Sequence, residues 1–342
     1  LKYLIYSDVH FCQASSIVRQ RGKKYSERLH NLINSISWAE HLADEENCGG
    51  IINLGDMFDR PDLRAECITA LNDVYFSPLH HDILVGNHDS NVANLTFSST
   101  EILNNIDADI ITEPKIVSVN DYVDLYFIPY LTKAEDFDLS LYVRENGKKK
   151  IVFTHNDIRG IRYGKYVSES GFSIPDIKQH CTLFLDGHLH NGYMVDNNII
   201  LVGNLTGLNF NENAQKYDHY IYLLNISEDG TIELEPRINP YAFNFYKIYI
   251  NGEKDLIHLD NLKPNAVLSV ICNASLLERV ESKLKELPIV TYRLTGTYEH
   301  SDLSEDFEFT QEDHLKQFID YVQTKIEPSK ILAEELSILG GN

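Results

Sequence analysis

Short apolar runs recur along the first two-thirds of the chain, and each stops at a polar cluster. Residues 3–6, 51–54, 83–85, 151–153 and 183–185 have the length and content of buried strands. They end at Asp8-Val9-His10, Gly55-Asp56, Gly86-Asn87-His88-Asp89, Thr154-His155 and Gly187-His188-Leu189-His190. Between them the period lengthens. Leu29, Leu32, Ile33, Ile36 and Ala39 share one face of a helix predicted over 26–46, with Ser26 as its cap. A second helix is predicted over 62–75, and a short one from Thr100. From 110 to 128 the pattern changes to short strands (115–119, 122–128), which is the switch from strand–helix units to paired strands expected of a two-sheet sandwich flanked by helices.

Further along, the pattern predicts a helix over 133–144, an irregular stretch over 157–175, and strands at 199–202 and 220–226. Residues 235–240, with two prolines and no apolar run, read as a linker. Beyond it, strands at 245–250, 267–272 and 289–294 with a helix over 276–287 suggest a smaller α/β unit. An acidic stretch over 300–308 precedes two amphipathic helices, 311–325 and 329–339, separated at Pro328. The expected class is α/β, and the expected division is 1–240, 241–300 and 301–342.

Composition narrows this little. At 342 residues and 43% hydrophobic content the chain can bury a full core and a second unit. No apolar stretch approaches the roughly 18 residues that span a bilayer, and the N-terminus lacks a basic-then-apolar leader, so a cytoplasmic protein is expected. Five scattered cysteines without a Cys-x-x-Cys pair argue against a zinc ribbon or a disulfide framework. A net charge of −21 runs against the basic face of proteins that grip phosphate backbones. Bound cations or a basic partner would offset it, and weak DNA binding by this chain alone is expected. No Gly-rich phosphate loop is present, so ATP binding is not expected.

The clusters change the picture most. Asp, Asn and His at five strand ends are the ligand types that hold hard or borderline divalent cations. Asp-x-His, Gly-Asp, Gly-Asn-His-Asp, an isolated histidine and Gly-His-x-His, in this order, resemble the calcineurin-like metallophosphoesterase superfamily. Within it the chain is most similar to SbcD-type nuclease subunits, including those of phage recombination. That resemblance implies a two-sheet fold with a cap domain (241–300) shaping DNA access, and a dinuclear centre that hydrolyses phosphodiesters. One metal would take Asp8, His10, Asp56 and His190, and the other Asp56, Asn87, His155 and His188, with Asp56 bridging. His88 would act as general acid at the leaving oxygen, oriented by Asp89. The metal implied is manganese, with magnesium as the alternative. The implied partners are double-stranded DNA ends, a coiled-coil SbcC-type ATPase held by the C-terminal helices, and a second copy of the chain.

Two features stay open at this level. Arg159 and Arg162, interleaved with Tyr163, Lys165 and Tyr166, suit phosphate contact and base stacking, or form an ordinary surface loop. Asp59-Arg60 matches the Gly-Asp-x-x-Asp-Arg of protein Ser/Thr phosphatases, where the arginine holds phosphate; here Arg60 could do so or pair with a neighbouring acid. A phosphatase or cyclic-nucleotide phosphodiesterase would use the same ligands on a smaller substrate.

Overall fold

The structure is a computed structural model that describes residues 1–13, 24–91, 94–163, 166–212 and 214–297. Lys165, the acidic stretch over 300–308 and the helices expected over 311–325 and 329–339 lie outside those residues. Leu1–Thr297 form one compact unit.

Two six-stranded sheets face each other. The first runs, in spatial order, Ile232–Ile238, Tyr220–Ile226, Lys2–Tyr6, Gly50–Asn53, His81–Leu84 and Ala108–Ile111, the last four parallel. The second runs Tyr193–Asp196, Ile199–Leu201, Leu183–Asp186, Lys149–Thr154, Val123–Ile128 and Lys115–Ser118, parallel except at its two edges. Strand alternation decides which side chain enters which layer. Ile5, Ile52, Leu84, Leu125, Phe153 and Leu185 point between the sheets. Leu4, Tyr6 and Ile51 point outward, onto Leu29, Leu32 and Ile36 of the first helix.

That helix spans Glu27–Glu45, and the Ser26 side chain accepts from the Leu29 N–H at 3.2 Å, so the cap read from the pattern is the observed one. On the outer face of the second sheet, Val152 and Phe184 pack on Phe172 and Ile177. Strands and a helix are also present beyond residue 240, within the same compact unit. Asn244–Ile250, Ala266–Asn273 and Thr291–Thr297 form a three-stranded parallel sheet, and Val280 and Leu284 of the helix Leu277–Glu286 pack on it.

Four local expectations are corrected. The stretch 235–240 is not a linker, because Ile232–Ile238 is an edge strand in which Pro236 lies opposite Tyr222. An edge strand tolerates proline, since the missing donor need face no neighbour. The helix over 133–144 is replaced by two short 3-10 turns, Ala134–Asp136 and Leu139–Leu141. There the Asp138 carboxylate accepts from the Ser140 N–H at 2.9 Å, and this side-chain contact displaces helical pairing. The second helix shortens to Ala65–Leu71. Within 157–175, a short hairpin pairs Arg162–Tyr163 with Tyr166–Val167, and the helix Ile174–His180 comes after it.

Candidate metal centre

Neighbouring parallel strands bring the loops at their carboxyl ends to one shared edge of a sheet. Asp8, Asp56 and Asn87 lie just past the carboxyl ends of three neighbouring strands of the first sheet. His155 and His188 lie just past two neighbouring strands of the second. Backbone hydrogen bonds knit these loops together: Asp8 N–H to the Gly55 carbonyl (3.1 Å), His10 N–H to that of Asp56 (2.9 Å) and Gly187 N–H to that of Thr154 (2.9 Å).

The approach is close enough to require glycine at two points. A Cβ on Gly86 would lie 2.2 Å from Asp56 Oδ1, and one on Gly187 would lie 2.3 Å from Ser7 Oγ and 2.8 Å from His155 Nδ1. The backbone is also bent into the left-handed region. Of six non-glycine residues with positive φ among the described residues, four are Asp8 (49°), His10 (47°), Asp56 (50°) and His188 (65°).

The side chains converge in two groups, linked by a third made of His10, Asp56 and His88. Asp8, His10 and His190 form one, and Asp56, His155 and His188 the other; the ligand atoms of each lie within 4.8 Å of one another. Asp56 Oδ2 faces both, at 3.6 Å from His10 Nε2 and 3.2 Å from His155 Nε2. Asn87 Oδ1 joins the second group, 3.2 Å from His155 Nε2 and 3.0 Å from His188 Nδ1. Ligands around a cation with bonds near 2.1 Å sit roughly 3 Å apart, so these separations fit a shared ion. The His155 tautomer fits as well. Its Nδ1–H donates to the Leu54 carbonyl at 2.8 Å, so in the neutral ring the lone pair falls on Nε2, the atom facing Asp56 and Asn87.

Other buried polar atoms ask for the same partner. Asp8 Oδ1 and both ring nitrogens of His10 have no hydrogen-bond partner although the residues are 0% and 1% exposed. Electrostatics agrees. Burial pushes the Asp56 carboxyl up, but the imidazoles of His155, His10 and His88 hold it well below the usual carboxylate range. Burial lowers the His10 imidazole, yet Asp59, Asp8 and Asp56 raise it to about 10. His155 reaches about 10 in the same way: burial opposes, and Asp56 and Asp8 prevail. Burial and His155 bring His188 down to about 4, which leaves it neutral, the form that binds metal. The pocket is a strong well for positive charge, as a cation site needs to be.

His88 stands at the mouth. It is exposed, its ring centroid lies 4.8 Å from that of His10, and its Nδ1–H donates to the Asp59 carbonyl at 3.0 Å. Its orientation by Asp89 is corrected by the structure. Asp89 is fully buried, with Oδ1 accepting from Phe58 N–H (2.8 Å) and Oδ2 from Gly86 N–H (2.9 Å), so the carboxylate fixes the loop and the Asp59 carbonyl orients the histidine.

Arg60 is exposed with its guanidinium 3.7 Å from Asp59, the neighbouring-acid alternative. Arg162 lines a cleft of about 730 Å³ that opens from His188 and His190 and is also lined by Lys216, Tyr193 and Tyr217; exposed Arg159 does not line it. Sequence reasoning missed Asp59, whose Oδ1 is 3.7 Å from His10 Nδ1, and Tyr130, whose ring centroid is 6.1 Å from that of His188. Asp59 was legible only as part of the Gly-Asp-x-x-Asp-Arg match, where the arginine drew the functional reading, and Tyr130 gave no signal of its own.

The sequence profile of the family described as calcineurin-like phosphoesterase matches residues 1–222. The chain belongs to that family. As a calcineurin-like phosphoesterase it is similar in structure to a dimetal phosphatase from Danio rerio, at 12% identity and a TM-score of 0.42 over 70% of this chain and 96% of that one. It is also similar to the calcineurin-like phosphoesterase YfkN from Bacillus subtilis, at 11% identity and a TM-score of 0.37 over 70% and 90%. None of the curated proteins matches it significantly. Among the described residues of this phosphoesterase no helix is long and apolar enough to cross a membrane.

Proposed function

We propose that this phosphoesterase is a two-metal DNA nuclease, the hydrolytic subunit of an SbcCD-like complex. The observation that carries the reading is the cleft beside the centre. It has a volume of about 730 Å³ and combines two cations, Arg162 and Lys216, with two tyrosines, Tyr193 and Tyr217, and the buried carboxylate Glu212. That mixture suits a phosphate backbone with its bases better than a single phosphoryl group. The segment Asn244–Thr297, which a small-substrate enzyme does not require, supports the same reading.

Asp8, His10, Asp56 and His190 would hold one cation, and Asp56, Asn87, His155 and His188 the other. Bound there, manganese or magnesium supplies a nucleophile at neutral pH and charge neutralisation on the phosphate. The protein's own groups do the rest. Asp56, whose Oδ2 faces His10 and His155, would serve both ions, while its Oδ1 accepts from the His88 N–H at 2.9 Å. His88, with Nδ1–H committed to the Asp59 carbonyl, presents Nε2 to the leaving oxygen and delivers a proton there when protonated. Arg162 and Lys216 hold the strand against the cleft wall.

Purified protein with manganese or magnesium, with and without a coiled-coil ATPase partner, is to be given end-labelled double-stranded DNA, a phosphopeptide and p-nitrophenyl phosphate. Degradation of DNA that disappears in Asp8→Asn, Asn87→Ala and His188→Ala variants is the expected result. Phosphomonoester hydrolysis without DNA degradation would replace this reading with a phosphatase. Residues 311–342 are proposed to dock on the ATPase through the stripe Leu315, Phe318, Ile319, Val322 and Ile326. Co-purification surviving deletion of 310–342 would remove that partner site.

A further inference from the structure

A buried carboxylate stands beside His190, where the cleft lined by Arg162 and Lys216 begins. Glu212 is 8% exposed, and its Oε1 lies 3.5 Å from His190 Nδ1. The loop around it is folded to hold it there. The Leu208 N–H donates to both carboxylate oxygens (3.0 and 3.1 Å), and Asn204 Nδ2 donates to Oε1 (3.0 Å). The Asn204 backbone N–H in turn donates to the His190 carbonyl at 3.1 Å. Gly207 leaves the room: a Cβ there would sit 2.3 Å from the Phe243 carbonyl and 3.1 Å from Glu212 Oε2. Underneath, the fully buried Arg28 donates from Nη1 to the Gly207 carbonyl at 2.5 Å.

An imidazole with one nitrogen against a carboxylate keeps its proton on that side and turns the other lone pair outward. His190 also borders the centre. Its ring centroid is 4.9 Å from that of His10, and it groups with Asp8 and His10. We infer that Glu212 is a positioning residue that sets the His190 tautomer and aims Nε2 at the cation of the Asp8–His10 half of the centre. His155 has a neutral carbonyl, Leu54, in the corresponding place, so Glu212 acts on one half only. This rests on the reading of the centre as a metal site.

The test is manganese titration of the full chain, monitored by electron paramagnetic resonance and calorimetry, in wild type, Glu212→Gln, His190→Ala and the double variant. In Glu212→Gln one of two sites should weaken about 10–100-fold while the other keeps its affinity. In the His190→Ala background, adding Glu212→Gln should change nothing further. Wild-type affinity at both sites of Glu212→Gln, equal loss at both with a lower melting temperature, or a full effect persisting without His190 would each overturn the inference. A wild-type chain that binds no manganese would overturn the metal-centre reading itself, and this inference with it.

Discussion

Replacing Gly86 with alanine tests whether the two groups of ligands depend on one carboxylate. The new methyl would stand 2.2 Å from Asp56 Oδ1 and 2.5 Å from the Asp56 backbone nitrogen, so turning the carboxylate aside would not by itself relieve the clash. To reach ordinary contact, Asp56 must retreat by about 1 Å, and a displacement of that size in a catalytic group costs on the order of 10²-fold in rate. Overpacking a tight site costs about 1–3 kcal/mol. In a unit as long as Leu1–Thr297, each kcal/mol moves the melting temperature by only about 2–4 °C or less. The variant should therefore stay folded at room temperature while losing metal. Melting curves, metal content after gel filtration and hydrolysis rates at saturating manganese should show a small thermal loss with a large catalytic one. Gly252→Ala is the control, since its Cβ would meet nothing within 4 Å and its loss should leave all three unchanged. A Gly86→Ala protein with two tightly bound ions and wild-type turnover would refute the reasoning, because Asp56 would then be free to move without consequence.

Three other outcomes are expected. His88→Ala should keep both ions and its melting temperature, as an exposed side chain allows, and lose about 10²–10⁴-fold in turnover; loss of metal instead would make His88 a ligand. Asp89→Asn should do the reverse, since one amide cannot accept from both Phe58 and Gly86 N–H groups: about 1–3 kcal/mol of stability lost by denaturant titration, with near-normal turnover in the folded, loaded fraction. Metal loading should release protons. In chelator-stripped protein His10 and His155 keep their protons up to about pH 10, so cations displace them and affinity should climb from pH 6 to pH 9. Calorimetric heats identical in buffers of different ionisation enthalpy would contradict this.

The strands that bear the ligands were legible because both of their faces are buried, which leaves an apolar run ending abruptly in polar residues. Residues 51–54 and 183–185 are such runs, and the observed strands lie within a residue or two of them. The first helix was legible from its stripe and its serine cap. The edge strand Ile232–Ile238 was not, because no second neighbour covers its outer side and its composition, Ile-Glu-Leu-Glu-Pro-Arg-Ile, has the polarity of a connection. The helix Ile174–His180 was legible in principle. Ser173 with a proline in the first turn after it is a helix start, but aromatic and basic residues just before it read as loop. Asp89 misled for another reason. Adjacency in sequence to His88 suggested partnership, whereas successive side chains in a turn diverge, and this one turns inward to the backbone.

The left-handed backbone at Asp8, His10, Asp56 and His188 has an evolutionary side. Glycine adopts that conformation freely, and each side chain held there costs the fold on the order of 1 kcal/mol or more. A library of variants screened for heat resistance alone would drift toward glycine at these four positions, discarding the chemistry to relieve the chain. Breeding a hardier version of this molecule therefore demands a selection on hydrolysis at every round.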